Sequence, residues 1–184
     1  MLVLGATGNA GKGAIQVAKY LGAGRVVAAG RNEHALSALP GLGADSVISL
    51  SQSDQALAEA FAREAPFDVI IDYVWGHPAE VLLRALTGHD LKAEPTPIRY
   101  IEIGAMAGPN ASVPSEALRS VGLELSGGGG GSVSRETIVA AFPKMWDLAI
   151  SGKLRVDVER VPLAEVESAW QRQGTAGRRL VFVP

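Results

Sequence analysis

The stretch Leu2-Val3-Leu4-Gly5-Ala6-Thr7-Gly8-Asn9-Ala10-Gly11 decides the architecture. A short apolar run ends in a glycine-rich turn. Beyond the turn, Ala14, Ile15, Val17, Ala18 and Leu21 recur at helical spacing until Gly22 and Gly24 stop them. The order is therefore strand, tight turn, helix. The first N–H groups of a helix have no partner within it, and the helix dipole adds positive potential there. Such a junction is a cradle for a pyrophosphate. One glycine makes the turn, a second lets the backbone approach the phosphates, and a third lets helix and strand pack closely. Here Ala6-Thr7-Gly8-Asn9-Ala10-Gly11 supplies the pattern with Ala6 in the first slot, Gly5 before it and Gly13 after it.

The same alternation continues along the chain. Arg25–Ala29 reads as a second strand closed by Gly30, and Asn32 as the N-cap of a helix from Glu33 to Leu39. Ser46–Leu50 is a third strand, followed by a helix capped by Ser53 or Asp54 that carries Leu57, Ala60 and Phe61. Phe67–Ile71 is a near-continuous apolar run, the mark of a strand buried on both faces. Pro78 opens a helix through Leu82, Leu83 and Leu86; Ile98–Ile103 and Val121–Leu125 are the fifth and sixth strands. Strands alternating with helices predict an α/β chain. Right-handed crossovers then favour the Rossmann arrangement, a doubly wound six-stranded parallel sheet with helices on both faces. Residues 1–152 form this nucleotide-binding unit. Residues 153–184 read differently, as a strand-like piece (Leu154–Val161), a short helix (Leu163–Trp170) and a terminal strand (Leu180–Val183) after a long helix capped by Ser134.

The end of the second strand indicates which dinucleotide is bound. An NAD site places Asp or Glu about 20 residues past the glycine loop, on the ribose 2′-hydroxyl. That position is Gly30, followed by Arg31 and Asn32. A small residue followed by arginine leaves room for a 2′-phosphate and offers it a charge-assisted fork, so NADP(H) is the expected cofactor. Ligands of this fold lie across the carboxyl ends of the strands. That adds the loops Tyr73-Val74-Trp75-Gly76 and Gly104-Ala105-Met106, with Val74, Gly104 and Ala105 as further cofactor contacts. The run Gly127–Gly131 reads equally as a flap or as a flexible linker.

Composition excludes several classes. Net charge is −2 without a basic run, which argues against nucleic-acid binding. The absence of cysteine removes disulfides, thiolate metal sites and cysteine nucleophiles, and suggests a cytoplasmic location. No apolar run is long enough to span a bilayer. The start of the chain lacks the features of a signal peptide. His34, His77 and His89 have no metal-ligand spacing, so no metal site is expected. Asp72 is expected to cap a turn. Trp75 suits either a nucleotide base or an interface. Trp146 and Trp170 suit either a core or a surface normally covered by something else. No residue stands out as a catalytic acid or base.

The segments LVLGATGNAGKGAIQVAKYLGAGRVVAAGRN (2–32), LGADSVISL (42–50), FDVIIDYVWG (67–76), VPLAEVESAW (161–170) and GRRLVFVP (177–184) together resemble the cofactor-binding half of medium-chain dehydrogenases/reductases. The likeness is greatest to the zinc-free, quinone-oxidoreductase-like branch. It covers nearly the whole chain; the Thr87–Pro97 stretch and the long glycine run depart from the family pattern. The resemblance implies an oxidoreductase that transfers hydride between NADPH and a small carbonyl, enone or quinone. It also implies a GroES-like half that is absent here, on which residues 153–184 would pack. The chain is then expected to be an inactive fragment. A homodimer through the sixth-strand edge is implied as well. The turn GATGNAG also suits a non-catalytic NADPH-binding sensor or dimerisation module related to atypical short-chain reductases. The Tyr-x-x-x-Lys pair of catalytic short-chain enzymes is missing.

Overall fold

The computed structural model describes residues 1–87, 97–172 and 178–184. Six parallel strands form one sheet in the order β3-β2-β1-β4-β5-β6. They are β1 (Leu2–Leu4), β2 (Val27–Gly30), β3 (Ser46–Ser49), β4 (Val69–Asp72), β5 (Ile98–Glu102) and β6 (Leu123–Gly127). The helices are α1 (Asn9–Tyr20), α2 (Glu33–Ser37), α3 (Asp54–Glu64), α4 (Gly76–Thr87), α5 (Ser115–Ser120), α6 (Arg135–Ile150) and α7 (Val166–Trp170). This is the expected Rossmann-like α/β fold. Asn32, Ser53 and Ser134 each accept a hydrogen bond from the backbone N–H three residues on, as N-caps should.

Alternation along each strand assigns two cores. Leu2, Leu4, Val27, Ala29, Ile70 and Tyr100 pack with Leu57, Phe61, Leu82 and Leu83 of α3 and α4. Val3, Val26 and Ala28 pack with Ile15 and Ala18 of α1 and Leu36 of α2. Winding outward from β1 in both directions puts the helices of the two halves on opposite faces. On the α1 face, β4 and β5 are therefore left open. A groove of about 800 Å³ lies there, lined by Ala14, Val17, Leu21, Val69, Ile71 and Ile103. This corrects two expectations. The β4 run is not buried on both faces, since Val69 and Ile71 are only partly covered. Leu21, on the expected buried face of α1, is 75% exposed at the groove rim.

 
Apolar residues of α6 that suited a core are exposed, Phe142 at 45% and Trp146 at 59%; Leu148 is the buried one. Trp170 is also on the surface. The chain after α6 is tied to α1: Gln16 accepts from Arg155 N (2.7 Å) and donates to Arg155 O (3.0 Å), and Lys12 pairs with Asp157 at 2.7 Å. β7 (Val158–Pro162) and β8 (Arg179–Val183) then form a separate parallel pair. The strand-like piece at Leu154–Val161 thus begins as a strap across α1. The short helix α5 has one buried residue, Ala117, so it left no periodic signal in the sequence. Most of the Thr87–Pro97 stretch, with His89, lies outside the described residues.

Candidate functional site

The glycine loop is built by hydrogen bonds and by missing side chains. Gly5 turns the chain with φ +79°, a left-handed conformation that favours glycine. The N–H groups of Gly5 and Ala6 both donate to Ala29 O at 2.9 Å, pinning the loop to β2. Gly8 N donates to Gly5 O at 3.1 Å, and the first helical bond of α1 runs from Lys12 N to Gly8 O at 2.9 Å. The N–H groups of Asn9, Ala10 and Gly11 therefore lie ahead of the helical ladder, and the first turn carries no acidic residue. A Cβ on Gly11 would fall 2.3 Å from Gly5 O and 2.5 Å from Ala6 Cα, so helix and loop meet where only hydrogen fits.

A cavity of about 510 Å³ opens above this turn. It brings together Thr7, Gly8, Asn9, Ala10 and Gly11 of the loop, Gly30, Arg31 and Asn32 from the end of β2, and Val74 and Gly104 from the ends of β4 and β5. Two candidates from the sequence are not in this wall. Ala6 is fully buried among Val3, Ile15 and Ala28, where a small side chain packs. Ala105 lines a neighbouring hollow of about 440 Å³ with Trp75, Glu102 and Ser126. Gly5, Leu50, Tyr73 and Met106 also line the main cavity. Leu50 was not singled out from the sequence, although it follows the strand paired with β2; its N–H donates to Gly30 O at 2.8 Å.

The polar groups of the wall have distinct assignments. The Asn32 side chain is occupied, its Oδ1 accepting from Ala35 N at 2.9 Å. Arg31 is exposed, and its side chain makes no ion pair among the described residues. Burial pushes the Tyr73 phenol above its ordinary pKa. Asp72 is fully buried at the end of β4. Its Oδ1 accepts from Val74 N (2.7 Å) and Trp75 N (2.9 Å), and its Oδ2 from the Tyr100 hydroxyl (2.6 Å). The expected capping role is what the geometry shows. Trp75, at φ +51°, sets its ring edgewise on Tyr100 at 6.1 Å. The glycine run divides: Gly128 packs on β5, its N–H donating to Glu102 O at 2.7 Å, while a Cβ on Gly129, Gly130 or Gly131 would meet open space. Among the described residues, no group of three or more His, Cys, Asp and Glu is placed to hold a metal ion, and no helix is long and apolar enough to cross a membrane.

Residues 10–89 match the family described as "Zinc-binding dehydrogenase". The chain is 30% identical, over 198 aligned positions, to "Probable NADPH-dependent quinone reductase tdiC" of Emericella nidulans, covering all of this chain and 54% of that protein. Among solved structures, AibC superposes with a TM-score of 0.81 at 26% identity, covering 100% of this chain and 48% of AibC. A cobalt- and zinc-bound thermostable alcohol dehydrogenase from Pyrobaculum aerophilum gives 0.71 at 26% identity, with 100% and 49% covered. The chain thus spans about half the length of these relatives.

Proposed function

Because this chain belongs to the medium-chain dehydrogenase/reductase family, as a cofactor-binding half, we propose that it binds NADP(H) for hydride transfer to or from a small carbonyl, enone or quinone. The observation that carries this reading is one cavity joining a helix N-terminus with glycine at positions 8 and 11 to an arginine that follows a glycine. The backbone N–H groups of Asn9, Ala10 and Gly11 would hold the pyrophosphate, and Arg31 the 2′-phosphate. Gly30 leaves the ribose edge open and offers no carboxylate to repel that phosphate. Val74 and Gly104 would bound the ribose and nicotinamide end. When bound, the cofactor supplies the hydride chemistry, and this half sets its position and electrostatics.

The chain itself spans about half the length of its relatives, and substrate chemistry is assigned, as part of the same proposal, to the GroES-like half that the family resemblance implies. The apolar groove beside α1 and the exposed face of α6 are the surfaces proposed to meet it. β6, at the edge of the sheet beside β5 among the described residues, is the proposed homodimer edge.

Calorimetric titration with NADPH and NADH at fixed salt tests the reading. Arg31→Ala should weaken NADPH by about 1.5–3 kcal/mol, the range for a charge-assisted contact, and leave NADH nearly unchanged. Equal weakening of both would overturn the assignment of Arg31.

A further inference from the structure

We infer that Thr7 is a specificity-determining residue: its side chain holds position 30 at glycine and thereby keeps out the ribose-binding carboxylate that an NAD site needs. The inference rests on reading the cavity as a dinucleotide site. Its steric core does not.

Gly30 ends β2 in register with Ser49 of β3, and its φ is not in the left-handed region. Its backbone would therefore accept any L-residue. What it meets is Thr7. A Cβ on Gly30 would lie 2.6 Å from Thr7 Cγ2 and 3.0 Å from Thr7 Oγ1. The next neighbour, Leu36 Cδ2, is at 3.4 Å, an ordinary contact. Thr7 is thus the obstacle.

Thr7 has little room to yield. A β-branched side chain rotates only about χ1 and has few favourable positions. Its loop is fixed on both sides. Upstream, Gly5 and Ala6 are bonded to Ala29 O; downstream, Gly11 backs directly onto Gly5 O. The loop cannot move aside without breaking these contacts, and the side chain can yield only by changing its χ1 rotamer. Alanine at position 7 removes both of the obstructing atoms. The glycine at position 30 is therefore a consequence of the threonine in the phosphate loop, and the two positions set cofactor choice together.

A set of variants tests this by two independent readouts. The first is melting temperature without cofactor, for the parent, Thr7→Ala, Gly30→Ala and the double variant. Gly30→Ala should lower the midpoint by several degrees in the parent and by much less when Thr7 is alanine. An equal drop in both backgrounds would overturn the steric claim. The second is the ratio of NADH to NADPH dissociation constants for Gly30→Asp with and without Thr7→Ala. The double variant should bind NADH at least about tenfold more tightly than Gly30→Asp alone, the worth of one added charge-assisted bond. It should also prefer NADH to NADPH. An unchanged ratio would overturn the specificity role. Coupling in melting temperature without dinucleotide binding by the parent would overturn the reading of the cavity and leave the steric claim standing.

Discussion

The hydroxyl of Tyr100 in β5 donates to Oδ2 of Asp72 in β4 at 2.6 Å, and both residues are fully buried. A buried carboxylate is costly unless its oxygens are satisfied. Here Oδ1 takes the N–H groups of Val74 and Trp75, and Oδ2 takes the phenol. The contact also acts on Tyr100, whose pKa is raised by burial first and by the Asp72 charge second. The pair fixes the turn that brings Val74 against the glycine loop, where a Cβ on Gly5 would lie 3.0 Å from Val74 Cγ1.

Tyr100→Phe should therefore destabilise the chain by about 1–3 kcal/mol, the cost of leaving a buried polar group short of a partner. The ring and its contact with Trp75 would remain. Asp72→Ala should cost more, because two backbone N–H groups lose their acceptor. Urea denaturation measures both; a smaller loss for Asp72→Ala would contradict the capping role.

Gly11 and Gly13 sit in the same helix and should respond oppositely to alanine. At Gly11 the added Cβ collides with backbone at 2.3 Å, and backbone cannot rotate away. At Gly13 nothing lies within 4 Å. Gly11→Ala should unfold or strongly destabilise the chain, by at least the roughly 1–3 kcal/mol of ordinary overpacking. Gly13→Ala should stabilise it by about 0.5–1 kcal/mol through helix propensity. Thermal melts of the two variants give the comparison.

The two faces of α6 offer a third contrast. Leu148 is 7% exposed and Trp146 is 59% exposed. Leu148→Ala should cost about 2–5 kcal/mol, whereas Trp146→Gln should stay within about 0.5 kcal/mol in this chain. Chemical denaturation decides it. A large loss for Trp146→Gln would mean that the indole packs against this chain and is not a surface awaiting the other half.

The strands and the glycine loop were legible because their signals are local. An apolar run closed by glycine or a capping residue marks its own ends. What covers a face is not local. The apolar run at Phe67–Ile71 announced burial, but the sequence could not show that the winding of the sheet leaves β4 open on the α1 side. The apolar positions of α6 likewise announced a partner without showing whether it lies in this chain. In the cavity, Thr7 and Arg31 were readable from fixed offsets within the motif. Leu50 was not, because it reaches the cavity only through pairing of β3 with β2. The steric tie between Thr7 and Gly30 joins residues far apart in sequence and needed coordinates.

The strap across α1 should carry a pH signature. Asp157 is held below the usual carboxylate range, first by its hydrogen bond with Lys12 and then by the charges of Lys12 and Arg178. A carboxyl whose pKa is depressed on folding stabilises the fold above its unfolded value, about 3.9. That contribution is lost as pH falls through the lower, folded value. The Asp157 side chain is 60% exposed, so the effect is modest and weakens with salt. Asp45, Glu80 and Glu136 are shifted in the same direction and share the overall acid sensitivity. The Asp157→Asn variant isolates one part of it. The difference in urea midpoint between parent and variant should be constant above about pH 5 and close as the pH drops below about 4. A difference that stays constant into acid would show that the Lys12–Asp157 pair does not hold the strap. Lys12 lies in the first turn of α1, beside the phosphate cradle. Loss of the pair should then also alter the salt dependence of NADPH binding, which the same two proteins can report by titration.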